Sequence, residues 1–181
     1  QFEKYIDKLR SSGLSESTLS RNCASIRSFY AYLIQREIAV SNPTLSVKSV
    51  KATKKLPQTL TSREIDKFLC APDSSDPKGC RDKAMLELLY ASGIKVSELI
   101  ALNVENVNID AGFIVCNGKS GNRVIPLYPT AVRCISEYMR RVRGANVYEI
   151  GQPLFTNMNG ERLTRQGFWK ILKSYTQSAG I

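Results

Sequence analysis

Several polar groupings in this chain have residue types and spacing that could handle an anion. Lys95 and Glu98 lie three apart around the start of a short helix, on one face, with Val96 and Leu99 turned the other way. In isolation such a pair is an ordinary surface ion pair of little energetic weight. Lys119 falls inside Asn117-Gly118-Lys119-Ser120-Gly121-Asn122, a Gly/Asn-rich hairpin tip from which an ammonium can reach away from the body. Arg162, Arg165, Lys170 and Lys173 line one helix beside Trp169. Thr18, Arg21, Ser25 and Ser28 form a further stripe, small and polar with one cation. Each grouping alone fits a solvated face. Small hydroxyls beside an arginine are also what a helix needs to approach a phosphate backbone closely.

Composition narrows the chemistry. The 181 residues contain no histidine, which removes imidazole bases, His-activated Ser or Cys nucleophiles and His-ligated metals. Cys23, Cys70, Cys80, Cys116 and Cys134 include no C-x-x-C pair, and an odd number of scattered thiols points to a reducing cytoplasm where Cys acts as a small apolar residue. No apolar run approaches the roughly 18 residues of a membrane span, and the first residues do not read as a signal peptide. With 43% hydrophobic residues the chain is expected to be soluble and globular. Its 26 Lys and Arg against 16 Asp and Glu leave a net charge of +10, which calls for an anionic partner. Residues 1–57 hold ten basic and four acidic side chains and residues 58–181 sixteen and twelve, so the smaller segment is the more densely charged. Nucleic acid is the leading partner class, well ahead of an anionic membrane surface.

The elements that must position these groups follow from periodicity. Phe2, Tyr5, Ile6 and Leu9 predict a helix ended by Ser11-Ser12-Gly13. A longer helix is predicted over Ser15 to Arg36, capped by Ser15 or Ser17 and burying Leu19, Cys23, Ile26, Tyr30 and Leu33, with Ser41-Asn42-Pro43 as its stop. Two helices over about 40 residues make a thin unit. A basic linker follows, crowded with Lys48, Lys51, Lys54 and Lys55. Thr61 and Glu64 then spell a capping box for a helix burying Ile65, Phe68 and Leu69. Arg81 to Ala91 predicts a helix with Ala84, Met85, Leu88 and Leu89 inward, broken at Ser92-Gly93 and resumed over Val96 to Leu102. The period then switches to two, giving strands at 107–109, 112–116 and 123–127. Pro129 opens a helix with a Val132, Ile135, Met139 and Val142 stripe, and a last helix after Leu163-Thr164 buries Phe168, Ile171, Leu172 and Tyr175. The expected class is mainly α with a small three-stranded antiparallel sheet.

In order and context these pieces resemble one family. RDKAMLELLYASGIKVSEL at 81–99 is similar to the helix-turn-helix-start of the tyrosine site-specific recombinases. So are LPQTLT at 56–61, GKSGNRVIPL at 118–127 and PLFTNMNGERLTRQGFWKILKSYTQSAGI at 153–181. The resemblance is to the Xer branch and its integrase relatives, and it runs nearly end to end. It implies that residues 1–45 are the second half of a helical, SAM-like core-binding domain, 46–58 a basic linker, and 59–181 the N-terminal part of a catalytic domain.

That resemblance also implies a chemistry. A tyrosine attacks a DNA phosphate to leave a 3′-phosphotyrosine and a free 5′-hydroxyl, and the reverse step joins a new strand, without metal, nucleotide or other cofactor. The transition state needs positive donors around its equatorial oxygens and a proton for the leaving oxygen. In the family an arginine in G-[LI]-R-x-S-E-L clamps the phosphate, the motif's Glu braces the site, and a hairpin-tip lysine is the proton donor; here these map to Lys95, Glu98 and Lys119. Lysine keeps the charge but loses two-pronged donation, so severely slowed cleavage with largely retained DNA binding is expected. The hairpin tip is also about one residue shorter than the family pattern. The H-x-x-R motif, a second His or Trp and the nucleophilic tyrosine are expected beyond Ile181, and Tyr175 is expected to be a packing residue.

The implied partner is a double-stranded DNA recombination site, gripped by two basic domains. Thr18, Arg21, Ser25, Ser28 and the Arg165 helix would enter grooves, while Lys51, Lys54, Lys55, Arg123 and Lys170 would touch phosphates. The complete protein would work as a homo- or hetero-tetramer in the synapse, in the cytoplasm and off the membrane. An alternative of another class is a non-catalytic DNA-binding relative that occupies or regulates recombination sites, a reading Lys95 favours. An RNA-binding protein has less support, because Tyr30, Tyr90, Phe155 and Trp169 do not fall on one strand face as stacking platforms do.

Overall fold

A computed structural model describes residues 2–45, 58–118, 121–144 and 151–181. The chain divides into two compact units, Gln1–Gln58 and Thr59–Ile181.

The first unit holds α1 (Phe2–Ser11) and α2 (Glu16–Gln35). Ser15 is the N-cap of α2, its Oγ accepting from the Thr18 backbone N–H at 3.3 Å. Ile6, Leu19 and Cys23 form the buried centre, with Phe2 and Leu9 against it. The expected stripe thins along α2: Ile26, Tyr30 and Leu33 are only half-buried, and Tyr5 of α1 is exposed. The helix ends within a residue of the expected Arg36, on its own turn and ahead of Ser41-Asn42-Pro43. Glu37 takes a left-handed φ of 58°, and the amides of Glu37 and Ile38 return to the carbonyls of Ile34 and Leu33, each at 2.9 Å. This is a Schellman ending with glutamate in the position glycine usually fills.

In the second unit, α3 (Ser62–Cys70) begins on the predicted capping box. The Thr61 N–H donates to Glu64 Oε2 at 2.7 Å and the Glu64 N–H to Thr61 Oγ1 at 3.3 Å. Next, α4 (Pro77–Ser92) starts a turn earlier than the sequence pattern suggested, on an Asp76 cap with Pro77 in its first turn. Gly79 is required there, since a Cβ would lie 1.9 Å from the Asp73 carbonyl oxygen. This helix is central: Ala84, Met85, Leu86 and Leu88 are buried, and so are Arg81, Asp82 and Glu87. Gly93 ends it at φ 59° and lets the chain turn into α5 (Val96–Ala101).

After a 3-10 turn at Val104–Asn106, the strands β1 (Val107–Asn108), β2 (Phe113–Gly118) and β3 (Gly121–Pro126) form an antiparallel sheet in that order. The β2–β3 ladder pairs Ile114 with Ile125, Cys116 with Arg123 and Gly118 with Gly121, so both strands run further into the tip than alternation alone suggested. The register puts Ile114 and Cys116 on the buried face and leaves Val124 exposed.

The following helix, α6 (Pro129–Tyr138), passes into a π turn at Met139–Arg143 that inserts one residue. Its deepest residues are Ala131, Ile135 and Tyr138 rather than the expected Val132, Met139 and Val142. Tyr138 can be fully buried because its hydroxyl donates to the Leu154 carbonyl at 3.1 Å. Last, α7 (Arg165–Ala179) is capped by Thr164 and buries Phe168. One core joins α3 to α7, the sheet and the 154–163 segment. Among the described residues no helix is long and apolar enough to cross a membrane.

Candidate functional site

The site is built where α5 starts beneath the end of the β2–β3 hairpin. Ile94 is buried, which pins the turn between α4 and α5 and leaves Lys95 exposed as the N-cap residue. An N-cap lysine has no oxygen to offer its helix, and the free amide is met from the other side: the Lys95 N–H donates to Glu98 Oε2 at 2.8 Å. The pair is therefore linked through backbone, not as the ion pair that their spacing allows. Among the described residues the Lys95 ammonium has no bonded partner.

The ionic partner of Glu98 is Arg123 on β3. Arg123 donates Nη1 to Oε1 at 3.0 Å and Nη2 to Oε2 at 2.9 Å, a two-pronged pair across 25 residues of sequence. Arg123 pairs with Cys116 across the ladder, and its side chain, still 45% exposed, reaches from the edge of the sheet to the Glu98 carboxylate. The Arg123 hydrogen bonds, then the Lys95 amide, hold the Glu98 carboxyl down at about 2, against a smaller upward push from burial. Gly118 lies against the same pair: a Cβ there would stand 3.1 Å from Arg123 Nη1 and 3.6 Å from Glu98 Oε1. Lys95, Glu98, Asn117, Gly118, Asn122 and Arg123 line an open cleft of about 600 Å³. Lys119 and Ser120, between Gly118 and Gly121, lie outside the described residues.

The other expected contacts are distributed more widely. Arg165 and Lys170 are exposed on α7 beside Trp169, which is 67% exposed. Arg162 does not share that helix face. It precedes α7, and its guanidinium is spent on the carbonyls of Ile100 and Leu102 at 2.8 and 3.1 Å, closing the C-terminal end of α5. In the first unit Arg21, Ser25 and Ser28 are exposed on α2, whereas Thr18 is half-buried with its hydroxyl bonded to Ser15 at 2.9 Å. Lys51, Lys54 and Lys55 lie outside the described residues, as does the linker from 46 to 57.

Periodicity did not reveal a buried polar network. Arg81 donates to Asp82 Oδ1 at 2.9 and 2.7 Å and to the Thr156 carbonyl at 2.9 Å, and Tyr175 donates to Asp82 Oδ2 at 3.0 Å. Burial pushes the Asp82 carboxyl up, against the opposing pull of Arg81. Burial and that carboxylate raise the Tyr175 phenol, the reverse of what a nucleophile needs. The sequence signal for this network was an Arg-Asp pair on the inward side of a helix. Burial likewise raises the thiols of Cys80, Cys116 and Cys134. All five cysteines are free. Among the described residues no three His, Cys, Asp or Glu side chains gather as a metal site requires.

Comparison with known proteins agrees with this architecture. The phage integrase family matches residues 58–181, and the phage integrase N-terminal SAM-like domain matches residues 1–37. Tyrosine recombinase XerD of Halalkalibacterium halodurans is 40% identical over 179 residues, covering 98% of this chain and 60% of that protein. Tyrosine recombinase XerC of Roseiflexus castenholzii is 41% identical over 182 residues, covering 98% of this chain and 58% of that protein. The chain thus spans about three-fifths of the length of the curated relatives it matches. In fold, it is similar to XerH recombinase bound to a palindromic difH substrate, with TM-score 0.77 and 19% identity over 98% of this chain and 54% of that one. It is also similar to a Tn1549 transposon integrase bound to circular intermediate DNA, with TM-score 0.72 and 20% identity over 97% and 63% of the two chains. The chain belongs to the phage integrase family and is similar, within it, to the Xer tyrosine recombinases.

Proposed function

We propose that this chain is the DNA-gripping and phosphate-positioning part of a protein that performs site-specific recombination through a 3′-phosphotyrosine intermediate. The observation that carries the proposal is the cleft where Lys95, Glu98 and Arg123 meet beneath the hairpin that bears Lys119. In this role Lys95 stabilises charge on the phosphate, Glu98 braces it, and Lys119 protonates the leaving 5′-oxygen. Residues 1–45 and 59–181 serve as parts of a core-binding and a catalytic domain joined by the 46–58 linker. The Arg21 face of α2, Arg165 and Lys170 contact double-stranded DNA, with Lys51, Lys54 and Lys55. The complete protein acts in the cytoplasm as a homo- or hetero-tetramer on two recombination sites, consistent with a role in chromosome partition.

The nucleophile in this scheme is a tyrosine other than the eight in this sequence. Tyr175 illustrates why, since its hydroxyl is committed to Asp82. A nicked suicide duplex tests the proposal: the complete protein is expected to form a covalent 3′-phosphotyrosyl adduct, and the 181-residue chain alone none. An adduct on the short chain would refute this assignment of roles. The second reading, a non-catalytic occupant of recombination sites, is favoured by Lys95 standing where the family carries arginine. Tight site binding without an adduct from the complete protein would establish it.

A further inference from the structure

The Glu98–Arg123 pair makes more contacts than a brace for one residue requires. One carboxylate accepts from the amide that carries Lys95 and from both terminal nitrogens of Arg123 on β3. The end of β2 is fitted to the same pair, because Gly118 leaves room that any Cβ would fill at 3.1 Å from Arg123. Gly118 in turn pairs with Gly121, the last rung of the ladder before residues 119–120. A hairpin end with glycine on both strands has little intrinsic rigidity, so its placement must come from outside the ladder.

We propose that the Arg123–Glu98 pair is a latch that docks the free end of the β2–β3 hairpin onto the first turn of α5. The latch sets the distance between Lys95 and the last rung of the hairpin, Gly118 with Gly121, and Arg123 is a positioning residue acting through Glu98 rather than a phosphate contact. Its importance for catalysis rests on the function proposed above; its existence does not. Two-pronged geometry matters because lysine in place of Arg123 could hold only one oxygen and would let the hairpin swing.

Amide hydrogen exchange on the 181-residue chain tests the latch directly. In Arg123→Ala and Arg123→Lys alike, the amides of Gly118 and Gly121, which pair across the last rung of the ladder, are expected to exchange at least about tenfold faster. Val115 and Cys116, held by the core, stay protected and report that each variant is folded. The Lys95 amide keeps its protection in both variants and loses it in Glu98→Ala. Wild-type protection at the tip in Arg123→Lys would overturn the two-pronged latch, and wild-type protection in Arg123→Ala would overturn the latch altogether. Duplex-DNA affinity is measured on the same proteins. Arg123→Ala is expected to bind within about threefold of the parent, while the complete protein carrying it cleaves at least about tenfold more slowly. A tenfold loss of affinity with tip protection unchanged would make Arg123 a phosphate contact instead. A parent chain that binds no duplex DNA yet shows the exchange changes would remove the proposed function and leave the latch standing.

Discussion

At the scale of single residues, Lys95 is the position where chemistry and fold separate. The fold requires only its backbone, which Glu98 caps at 2.8 Å, so the side chain can change without disturbing α5. Lys95→Arg in the complete protein is therefore expected to raise single-turnover cleavage by about 10²-fold, as a restored phosphate clamp should. DNA affinity should stay nearly level, and a variant no faster than its parent would remove Lys95 from the phosphate. Glu98 carries a pH signature. Its carboxyl is held at about 2 in the folded chain against an ordinary value of 4.5. The stabilisation is then complete above about 4.5 and lost as pH falls through about 2, so tip protection is expected to persist at pH 3 and vanish in Glu98→Gln at every pH. Asp82 behaves differently because it is fully buried with Arg81. Removing it strands a buried guanidinium, and Asp82→Ala is expected to cost about 3–5 kcal/mol in denaturant melts, with Tyr175→Phe costing less. Spacing made Lys95 and Glu98 legible in the sequence, whereas the partnership of Glu98 with Arg123 was not. That contact depends on ladder register, which sets Arg123 opposite Cys116 and within reach of Glu98.

At the scale of elements, local signals were legible wherever a side chain satisfies its own backbone. The Thr61–Glu64 box and the Ser15 cap formed as their residue types dictate. The boundaries that differed were set by long-range contacts or by backbone geometry without a sequence signature. The early start of α4 depends on Gly79 admitting the Asp73 carbonyl, and packing of α6 buries Ala131 and Tyr138 where Val132 and Met139 were expected. The end of α2 fell within a residue of the expected Arg36, but the turn that makes it was not legible, because a Schellman turn formed on glutamate, where composition offered no glycine to mark it. The left-handed φ of 58° at Glu37 carries a strain of roughly 1 kcal/mol. Glu37→Gly should relieve it, and a net gain of about 0.5 kcal/mol or more is expected after glycine's greater unfolded-state entropy is subtracted. A thermal melt that falls instead would show that Glu37 is held by more than its turn. The test bears on function because α2 also carries Arg21, Ser25 and Ser28.

At the scale of the whole molecule, the 26 basic side chains overstate what a partner can meet. In the second unit Arg81, Arg123, Arg141, Arg143 and Arg162 all donate to internal carbonyls or carboxylates. Their guanidiniums hold the fold together, and the cations left facing outward include Lys95, Arg165, Lys170 and Lys173. Counterion release counts only charges that reach phosphates, so it can separate the two classes experimentally. The affinity of this chain for duplex DNA should fall linearly with salt on logarithmic axes, by about 0.9 in slope for each phosphate neutralised. Replacing Arg165 and Lys170 together should flatten the slope by about 1.8, whereas Arg123→Ala should leave it unchanged because its charge is already matched by Glu98. The two results are independent in cause. An unchanged slope in the double variant would move the DNA surface away from α7, and a slope that drops in Arg123→Ala would place that guanidinium on the phosphate backbone and not on the hairpin.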